Sequence, residues 1–269
     1  MTLFHRDLGG AGAPPLVILH GLLGSSRNWQ TAGRDLARSA DSSAERATAG
    51  FHVFALDLRN HGASPHAKEM TYAAMAEDVI AWLDAQGLAR ATLLGHSMGG
   101  KTAMLLACRQ PERVERLIVV DIAPKAYAST EHRAEFAAMN ALDLAALTSR
   151  TEAETQFEAH VNDWAMRKFL ATNLERAPGG GWRWMIDLPA LTAALPELEG
   201  NPLTPTDHYN GPVHVIAGGK SRYVTPSDHA AILRHFPAAR IDTIAESGHN
   251  PHMERREDFV RAVRAEVQG

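Results

Sequence analysis

The segment Gly95–Gly100, GHSMGG, constrains the fold more than any other part of the sequence. It follows the apolar run Ala91–Leu94 and precedes Met98–Arg109, whose composition predicts a helix. A serine between glycines at a strand-to-helix turn is typical of a nucleophile elbow, which holds the serine in a strained conformation above the sheet. Small flanking residues are needed there because the sharp turn leaves no room for side chains. The pattern predicts that Ser97 is a catalytic nucleophile.

Short apolar runs alternate with helical stretches along most of the chain. The apolar runs predict buried strands at Leu16–Leu19, Phe51–Leu56, Ala91–Leu94, Leu117–Val120, Val213–Ile216 and Arg240–Ile244. Apolar spacing and composition predict helices at Tyr72–Gln86, Met98–Arg109 and Arg256–Val267. Strands that alternate with helices in this way predict an α/β fold, with a mostly parallel sheet between two layers of helices.

The alternation stops between residues 124 and 209, which are rich in Ala, Glu, Leu and aromatic residues and show no strand run. We therefore predict a core domain of residues 1–123 and 210–269, with residues 124–209 forming a small helical cap. Within the cap, Pro178–Gly181 predicts a loop. In the core domain, the small and polar residues of Ser39–Gly50 predict an exposed loop.

Composition excludes several classes of protein. The chain has 269 residues, 45% of them hydrophobic and 22% charged, which is ordinary for a globular protein. The net charge of -4 offers no basic surface for nucleic acid. Cys108 is the single cysteine, so no intrachain disulfide is possible, as is common in a reducing compartment. Without a signal-like N-terminus or an apolar run of about 20 residues, the chain is expected to be cytoplasmic and to have no membrane span.

A histidine near the C-terminus is the expected general base. Glu246–His252 follows the last predicted strand and precedes the last predicted helix, so it belongs to a loop at the carboxyl edge of the sheet. A serine hydroxyl needs a base in order to attack at neutral pH. His249, next to Gly248, is the first candidate, and His252 is the alternative. Neither histidine is spaced with other ligands in a metal-binding pattern, so we expect no metal.

The oxyanion hole is expected from two backbone amides. His20–Gly24 forms a glycine-rich turn after the first predicted strand, which can bring a backbone N–H to face the nucleophile. We expect the donors to be the N–H groups of Leu22 and Met98, the latter being the residue after the nucleophile. We interpret His20 as a residue that braces this turn rather than as a catalytic group.

Three segments carry a resemblance to a known group of enzymes. Asp57–Ser64, Gly95–Lys101 and Asp121–Pro124 resemble the YbfF-type esterases and the mitochondrial abhydrolase-domain-eleven proteins. The order of motifs over the whole chain is similar to that of the α/β-hydrolase superfamily. The resemblance implies hydrolysis of carboxylic esters, and acyl-CoA thioesters are also associated with the group. The expected partner is thus a small acyl ester or thioester, and no cofactor is expected.

The acid that would orient the base stands at an unusual place. Most of the superfamily has an aspartate in a Gly-x-x-Asp pattern after the penultimate strand, where this chain has Ser221. Asp121 ends a predicted strand, and the YbfF-type esterases use an aspartate at the matching position. Asp228 is the alternative, although Thr225 as N-cap and Asp228 at N3 of a helix would explain it without catalysis. We take Asp121 as the acid.

Asp57, Arg59 and His61 follow another predicted strand, and we interpret them as structural residues. The alternative is that Arg59 or Asn60 lines the mouth of the substrate pocket.

Two other functions remain open on the sequence alone. Enzymes of similar fold with a Ser-His pair also cleave carbon–carbon bonds, act as lyases or work as cofactor-free haloperoxidases. A non-catalytic module that binds a ligand in the same pocket is the other alternative. Ester hydrolysis is preferred because the serine, the histidine and the glycine framework are all present.

Overall fold

The computed structural model describes residues 1–38, 50–127 and 130–265. The predicted loop Ser39–Gly50 lies, except for its last residue, outside the described residues. Within them, seven strands form one sheet and two more form a hairpin. The strands are β1 (His5–Asp7), β2 (Pro15–Leu19), β3 (His52–Leu56), β4 (Ala91–His96), β5 (Val114–Val120), β6 (Leu174–Arg176), β7 (Trp182–Trp184), β8 (Val213–Gly218) and β9 (Ala239–Ile244).

The large sheet has the strand order β1-β3-β2-β4-β5-β8-β9. All neighbours are parallel except β1, which pairs antiparallel with β3 at the edge. The six predicted strands are therefore confirmed, and the predicted α/β fold with a mostly parallel sheet is confirmed with them. Strand β1 was not predicted because its three residues are polar and too few to show an alternation.

Helices cover both faces of the sheet. They are α1 (Gln30–Ala37), α2 (Tyr72–Ala85), α3 (Met98–Arg109), α4 (Thr130–Ala141), α5 (Arg150–Gln156), α6 (Trp164–Ala171), α7 (Leu188–Glu199), α8 (His229–His235), α9 (Pro251–Glu254) and α10 (Arg256–Ala265). Helices α1 and α10 contact each other, and α2 contacts α3. Val17 and Leu19 of β2 belong to one apolar cluster and Leu16 and Ile18 to another, because successive side chains of a strand point to opposite faces. Both faces are thus buried.

The segment between β5 and β8, residues 124–209, contains α4 to α7 and the β6–β7 hairpin; we call it the inserted segment. The expectation that it has no strand was wrong. Its strands Leu174–Arg176 and Trp182–Trp184 have only three residues each, too short for a recognisable apolar pattern. The predicted loop Pro178–Gly181 lies between them and connects the hairpin. None of the helices in the described parts of the chain is long and apolar enough to cross a membrane.

Candidate active site

Ser97 lies at the sharp turn between β4 and α3, at the carboxyl end of the central strand. Its φ of 50° and ψ of −116° are a strained conformation for a residue with a side chain. The turn is tight: a Cβ on Gly95 would lie 2.3 Å from the carbonyl oxygen of Gly99, and a Cβ on Gly99 would lie 2.3 Å from that of Leu19. The two glycines that flank the serine are therefore required by backbone contacts.

Asp121 follows β5, the strand next to β4, and its side chain is fully buried. Its Oδ1 accepts a hydrogen bond from the backbone N–H of Gly218 at 2.9 Å. Its Oδ2 accepts one from His249 Nδ1 at 2.8 Å and another from the hydroxyl of Ser221. A buried carboxylate needs such donors, since a buried charge without partners is strongly unfavourable. The structure thus joins Asp121 and His249, two of the predicted site residues.

Ser221 is a site residue that sequence reasoning did not assign. It stands at the position where the sequence pattern would place the acid, and its hydroxyl donates to Asp121, which follows the neighbouring strand. Its own Oγ accepts a hydrogen bond from the N–H of Tyr223 at 3.1 Å, which fixes the hydroxyl direction. The sequence signal that could have identified Ser221 is the serine at the aspartate position of the Gly-x-x-Asp pattern.

His249 is half-buried, and its partners determine which ring nitrogen carries the proton. Because a carboxylate only accepts hydrogen bonds, the bond to Asp121 places the proton on Nδ1 and leaves Nε2 as the basic atom. The ring stacks on Tyr223 at 3.9 Å between centroids, with 19° between planes. Glu254 accepts hydrogen bonds from the N–H groups of Gly248 and Asn250, which brace the loop on both sides of the histidine.

Ser97 and His249 lie in the same region, linked through His96, the residue before the serine. The His96 ring lies 4.6 Å from the His249 ring, and its Nε2 contacts the His249 carbonyl oxygen at 2.8 Å. Across residues 1–38, 50–127 and 130–265, the side-chain hydrogen bonds include none between Ser97 and His249. Catalytic hydrogen bonds are often long in free enzymes and tighten when a substrate binds.

The two alternative residues are occupied elsewhere. The ring of His252 is buried and stacks on Trp29 at 3.8 Å with 7° between planes, and burial lowers its pKa to about 3. Asp228 forms an ion pair with Lys125 at 2.7 Å. It also completes the capping box with Thr225 that the sequence predicted. Both residues therefore have structural roles that require no catalysis.

The turn proposed to form the oxyanion hole packs against the nucleophile elbow. The N–H of Gly99 donates to the carbonyl of His20 at 3.1 Å, and the N–H of Gly24 closes the turn on Gly21 at 3.0 Å. Leu22 and Met98, the predicted donors, line one cavity together with Ser97. The backbone amides of both residues thus belong to segments that border Ser97.

Two buried histidines, His20 and His61, form hydrogen bonds in and around the turn His20–Gly24. His20 Nε2 accepts the N–H of Leu58 at 3.0 Å, and His61 Nε2 accepts the N–H of Leu23 at 3.2 Å. Burial lowers the pKa of His20, and it lowers the pKa of His61 to about 3, so both rings stay neutral and remain acceptors. The interpretation of both histidines as structural residues is supported by these contacts.

The residues around His61 are also engaged inside the fold. Asp57 accepts hydrogen bonds from the N–H groups of Ser26 and Ala63 at 2.6 and 2.8 Å. Arg59 forms a buried ion pair with Asp78 at 2.6 Å. Neither Arg59 nor the fully buried Asn60 lines the cavity beside Ser97, so the alternative that either marks its mouth is not supported.

The cavity beside Ser97 lies between the core and the inserted segment. It is narrow, with a volume of about 20 Å³. Its lining residues are Leu22, Tyr72, Ser97, Met98, Lys101, Ile122, Tyr127, His132, Leu198, Glu199 and Tyr223. Lys101, one turn after Ser97, donates to the carbonyl oxygens of Glu199 and Gly200 at the end of α7. Burial lowers the pKa of this lysine to about 8.

No group of three or more potential metal-ligating side chains was found in the part of the chain that the structure describes.

Comparisons with known proteins place the chain in a family. The profile described as alpha/beta hydrolase fold matches residues 14–256. The mouse (Mus musculus) sn-1-specific diacylglycerol lipase ABHD11 is 38% identical over 260 residues, which are 95% of this chain and 81% of the relative. Esterase YbfF of Escherichia coli (strain K12) is 36% identical over 251 residues, covering 93% of this chain and 91% of the relative.

The fold agrees with a solved relative as well. The structure of a marine microorganism esterase matches with a TM-score of 0.90 and 34% identity, over 98% of each chain. The resemblance derived from the three sequence segments is thus confirmed: the chain belongs to the α/β-hydrolase family, in the group that contains esterase YbfF and the ABHD11 lipases.

Proposed function

We propose that this esterase- or lipase-type hydrolase is a serine carboxylesterase that cleaves short- to medium-chain acyl esters through an acyl-enzyme on Ser97. The observation that carries the proposal is the hydrogen bond between Asp121 and the Nδ1 of His249, at the same sheet edge as the serine elbow. That bond leaves the other ring nitrogen of His249 as the base, as the mechanism requires. The names of the YbfF and ABHD11 relatives support ester hydrolysis.

In the proposed first half-reaction, Ser97 Oγ attacks the ester carbonyl carbon while His249 Nε2 takes the hydroxyl proton. The carbonyl oxygen becomes an oxyanion, which the N–H groups of Leu22 and Met98 stabilise. Collapse of this intermediate breaks the bond to the alcohol, which leaves with the proton held by His249. The buried Asp121 carboxylate stabilises the imidazolium that forms on His249.

In the second half-reaction a water molecule replaces the alcohol. His249 takes a proton from the water as it attacks the acyl carbon. The second tetrahedral intermediate then breaks its bond to Ser97 Oγ, which receives the proton from His249, and the carboxylic acid is released. A thioester would react in the same way with a thiol as leaving group, so acyl-CoA thioesters are included in the proposed substrate class. No cofactor takes part in these steps.

We further propose that the inserted segment, residues 124–209, acts as a cap on a core formed by residues 1–123 and 210–269. Tyr127, Leu198 and Glu199 of this segment line the cavity beside Ser97. A cap that closes over the nucleophile excludes bulk water and strengthens electrostatic interactions in the site. These residues place the inserted segment along the narrow space that an acyl group would enter beside Ser97.

The test is hydrolysis of p-nitrophenyl esters of increasing acyl length by the wild type and by Ser97→Ala. We expect turnover that is lost in the variant, with a maximum at short to medium chains, and labelling of the wild type alone by a fluorophosphonate. An acyl-CoA of the preferred length tests the thioester. Labelling of Ser97 without ester turnover would indicate a different reaction of the same fold, such as carbon–carbon cleavage. A serine that resists the label would indicate a binding module.

A further inference from the structure

Leu23, the residue after the proposed oxyanion donor Leu22, has a backbone conformation that leucine rarely adopts. Its φ is 59°, in the left-handed region, and its side chain is buried. A non-glycine residue in this region is strained, and such strain persists only where surrounding contacts impose it. The turn that presents Leu22 is therefore held in shape by its neighbours.

Two buried side chains hold Leu23, one at each of its peptide groups. His61 Nε2 accepts its N–H at 3.2 Å, and Asn173 Nδ2 donates to its carbonyl oxygen at 2.9 Å. These are the two peptide groups that directly follow Leu22. The two bonds together hold the backbone of the turn directly after Leu22.

Asn173 reaches this turn from the inserted segment, between α6 and the β6–β7 hairpin. Its own N–H donates to Leu170 at 3.1 Å, and its carbonyl accepts the N–H of Met185 at 2.8 Å. With its backbone fixed at both groups and its side chain buried, it is a rigid donor rather than a surface amide. It is thus a side chain of the inserted segment that bonds the turn proposed to stabilise the oxyanion.

We propose that Asn173 is a positioning residue for the oxyanion hole. Its amide fixes the Leu23 carbonyl, and through it the direction of the Leu22 N–H. This inference rests on the proposed function of Ser97 and Leu22. It gives the inserted segment a part in the chemical step in addition to covering the cavity. Stabilisation of the transition state then depends on how the inserted segment packs against the core.

The experiment compares Asn173→Ala with Asn140→Ala, a matched change at another asparagine of the inserted segment. Asn140 also donates its amide to a carbonyl, that of Phe136 at 2.8 Å, but this acceptor lies within α4. Asn173→Leu is the second variant, for use if the alanine variant does not fold. It keeps the side-chain volume of asparagine but removes the hydrogen-bond donor. For each protein we would measure kcat, KM and the Ki of a trifluoromethyl ketone.

The ketone reports on the oxyanion hole directly. Ser97 Oγ adds to its carbonyl carbon and His249 takes the hydroxyl proton, so a stable tetrahedral oxyanion forms where the intermediate would lie. Loss of one direct oxyanion donor costs 10²–10³ in kcat. For the indirect role of Asn173 we expect kcat about 10- to 100-fold lower, KM within about threefold, and Ki raised in parallel with the loss in kcat/KM. Asn140→Ala should match the wild type.

Unchanged kcat in a folded Asn173 variant would overturn the inference. So would a loss confined to KM, or a Ki for the ketone equal to that of the wild type, since a cap that only covers the substrate produces those results. Failure of the proposed function looks different: the Ser97→Ala enzyme would then keep its turnover. If Ser97 is essential and the Asn173 variants are normal, only the positioning role is wrong.

Discussion

The imidazole of His96 donates a hydrogen bond from Nε2 to the backbone carbonyl oxygen of His249 at 2.8 Å. A carbonyl only accepts, so this bond fixes the proton of His96 on Nε2. Burial holds the pKa of His96 well below its ordinary value of 6.5, which keeps the ring neutral. Because His96 directly precedes Ser97, one hydrogen bond joins the strand of the proposed nucleophile to the loop of the proposed base.

Replacing His96 by Phe should lower turnover without removing it. The volume of the ring is nearly kept, but the loop that carries His249 loses its hydrogen bond to the end of β4. A neutral hydrogen bond contributes about 1 kcal/mol, so we expect kcat about five- to tenfold lower, with KM nearly unchanged. Steady-state kinetics with a p-nitrophenyl ester would measure this. A kcat equal to that of the wild type would mean that the loop is held by its other contacts alone.

Replacing Asp121 by Asn should be far more damaging. The amide can no longer stabilise the imidazolium, and the equivalent change in a serine protease lowers kcat about 10⁴-fold. The matched control is Asp228→Asn, which removes a carboxylate that pairs with Lys125 and caps a helix. Its turnover should stay within about threefold of the wild type. Its free energy of unfolding should fall only slightly, because the variant loses the ion pair with Lys125 while the amide oxygen can still accept the hydrogen bonds of the cap. The reverse ranking of the two variants would show that Asp228 is the acid.

A single methyl group at the elbow should destabilise the fold. In Gly99→Ala the new Cβ would lie 2.3 Å from the backbone oxygen of Leu19, so β2 or α3 has to move. Overpacking of this kind costs about 1–3 kcal/mol in free energy of unfolding. Gly179→Ala is the control, because a Cβ there has nothing within 4 Å. Urea unfolding should separate the two variants, and equal midpoints would contradict the tight turn.

Acid stability should depend on His252. Burial lowers its pKa from 6.5 to about 3 in the folded chain, so between these pH values only the unfolded chain binds the proton. Protonation of the unfolded chain lowers the free energy of unfolding in this range. The stability is therefore fully present above pH 6.5 and falls as the pH drops towards 3. His252→Phe keeps an aromatic ring against Trp29 but takes up no proton on unfolding. The slope of the unfolding free energy against pH should therefore be smaller by about 1.4 kcal/mol per pH unit, the value for one proton. Urea unfolding at pH 7 and pH 5 tests this, and an unchanged slope would contradict a neutral buried ring.

Local sequence signals predicted the six longer strands and the elbow. They missed very short strands and residues whose partners lie far along the chain. The elbow glycines and the apolar strands are recognisable because backbone sterics and burial act over a few consecutive residues. The β6–β7 hairpin was missed because three residues show no period. Ser221 and Asn173 were missed because each is an ordinary polar residue until its acceptor, far along the chain, is known.

The sequence by itself indicated the family, six of the seven strands of the large sheet, and the residues Ser97, His249 and Asp121 as candidates. These follow from periodicity and from motifs whose geometry is local. The tertiary structure decided which of the candidate histidines and carboxylates meet, since the parallel strand order brings the ends of β4, β5 and β9 to one edge of the sheet. It also decided that the inserted segment contacts the Leu22–Leu23 turn, because a hydrogen bond across 150 residues depends on how the segment packs on the core.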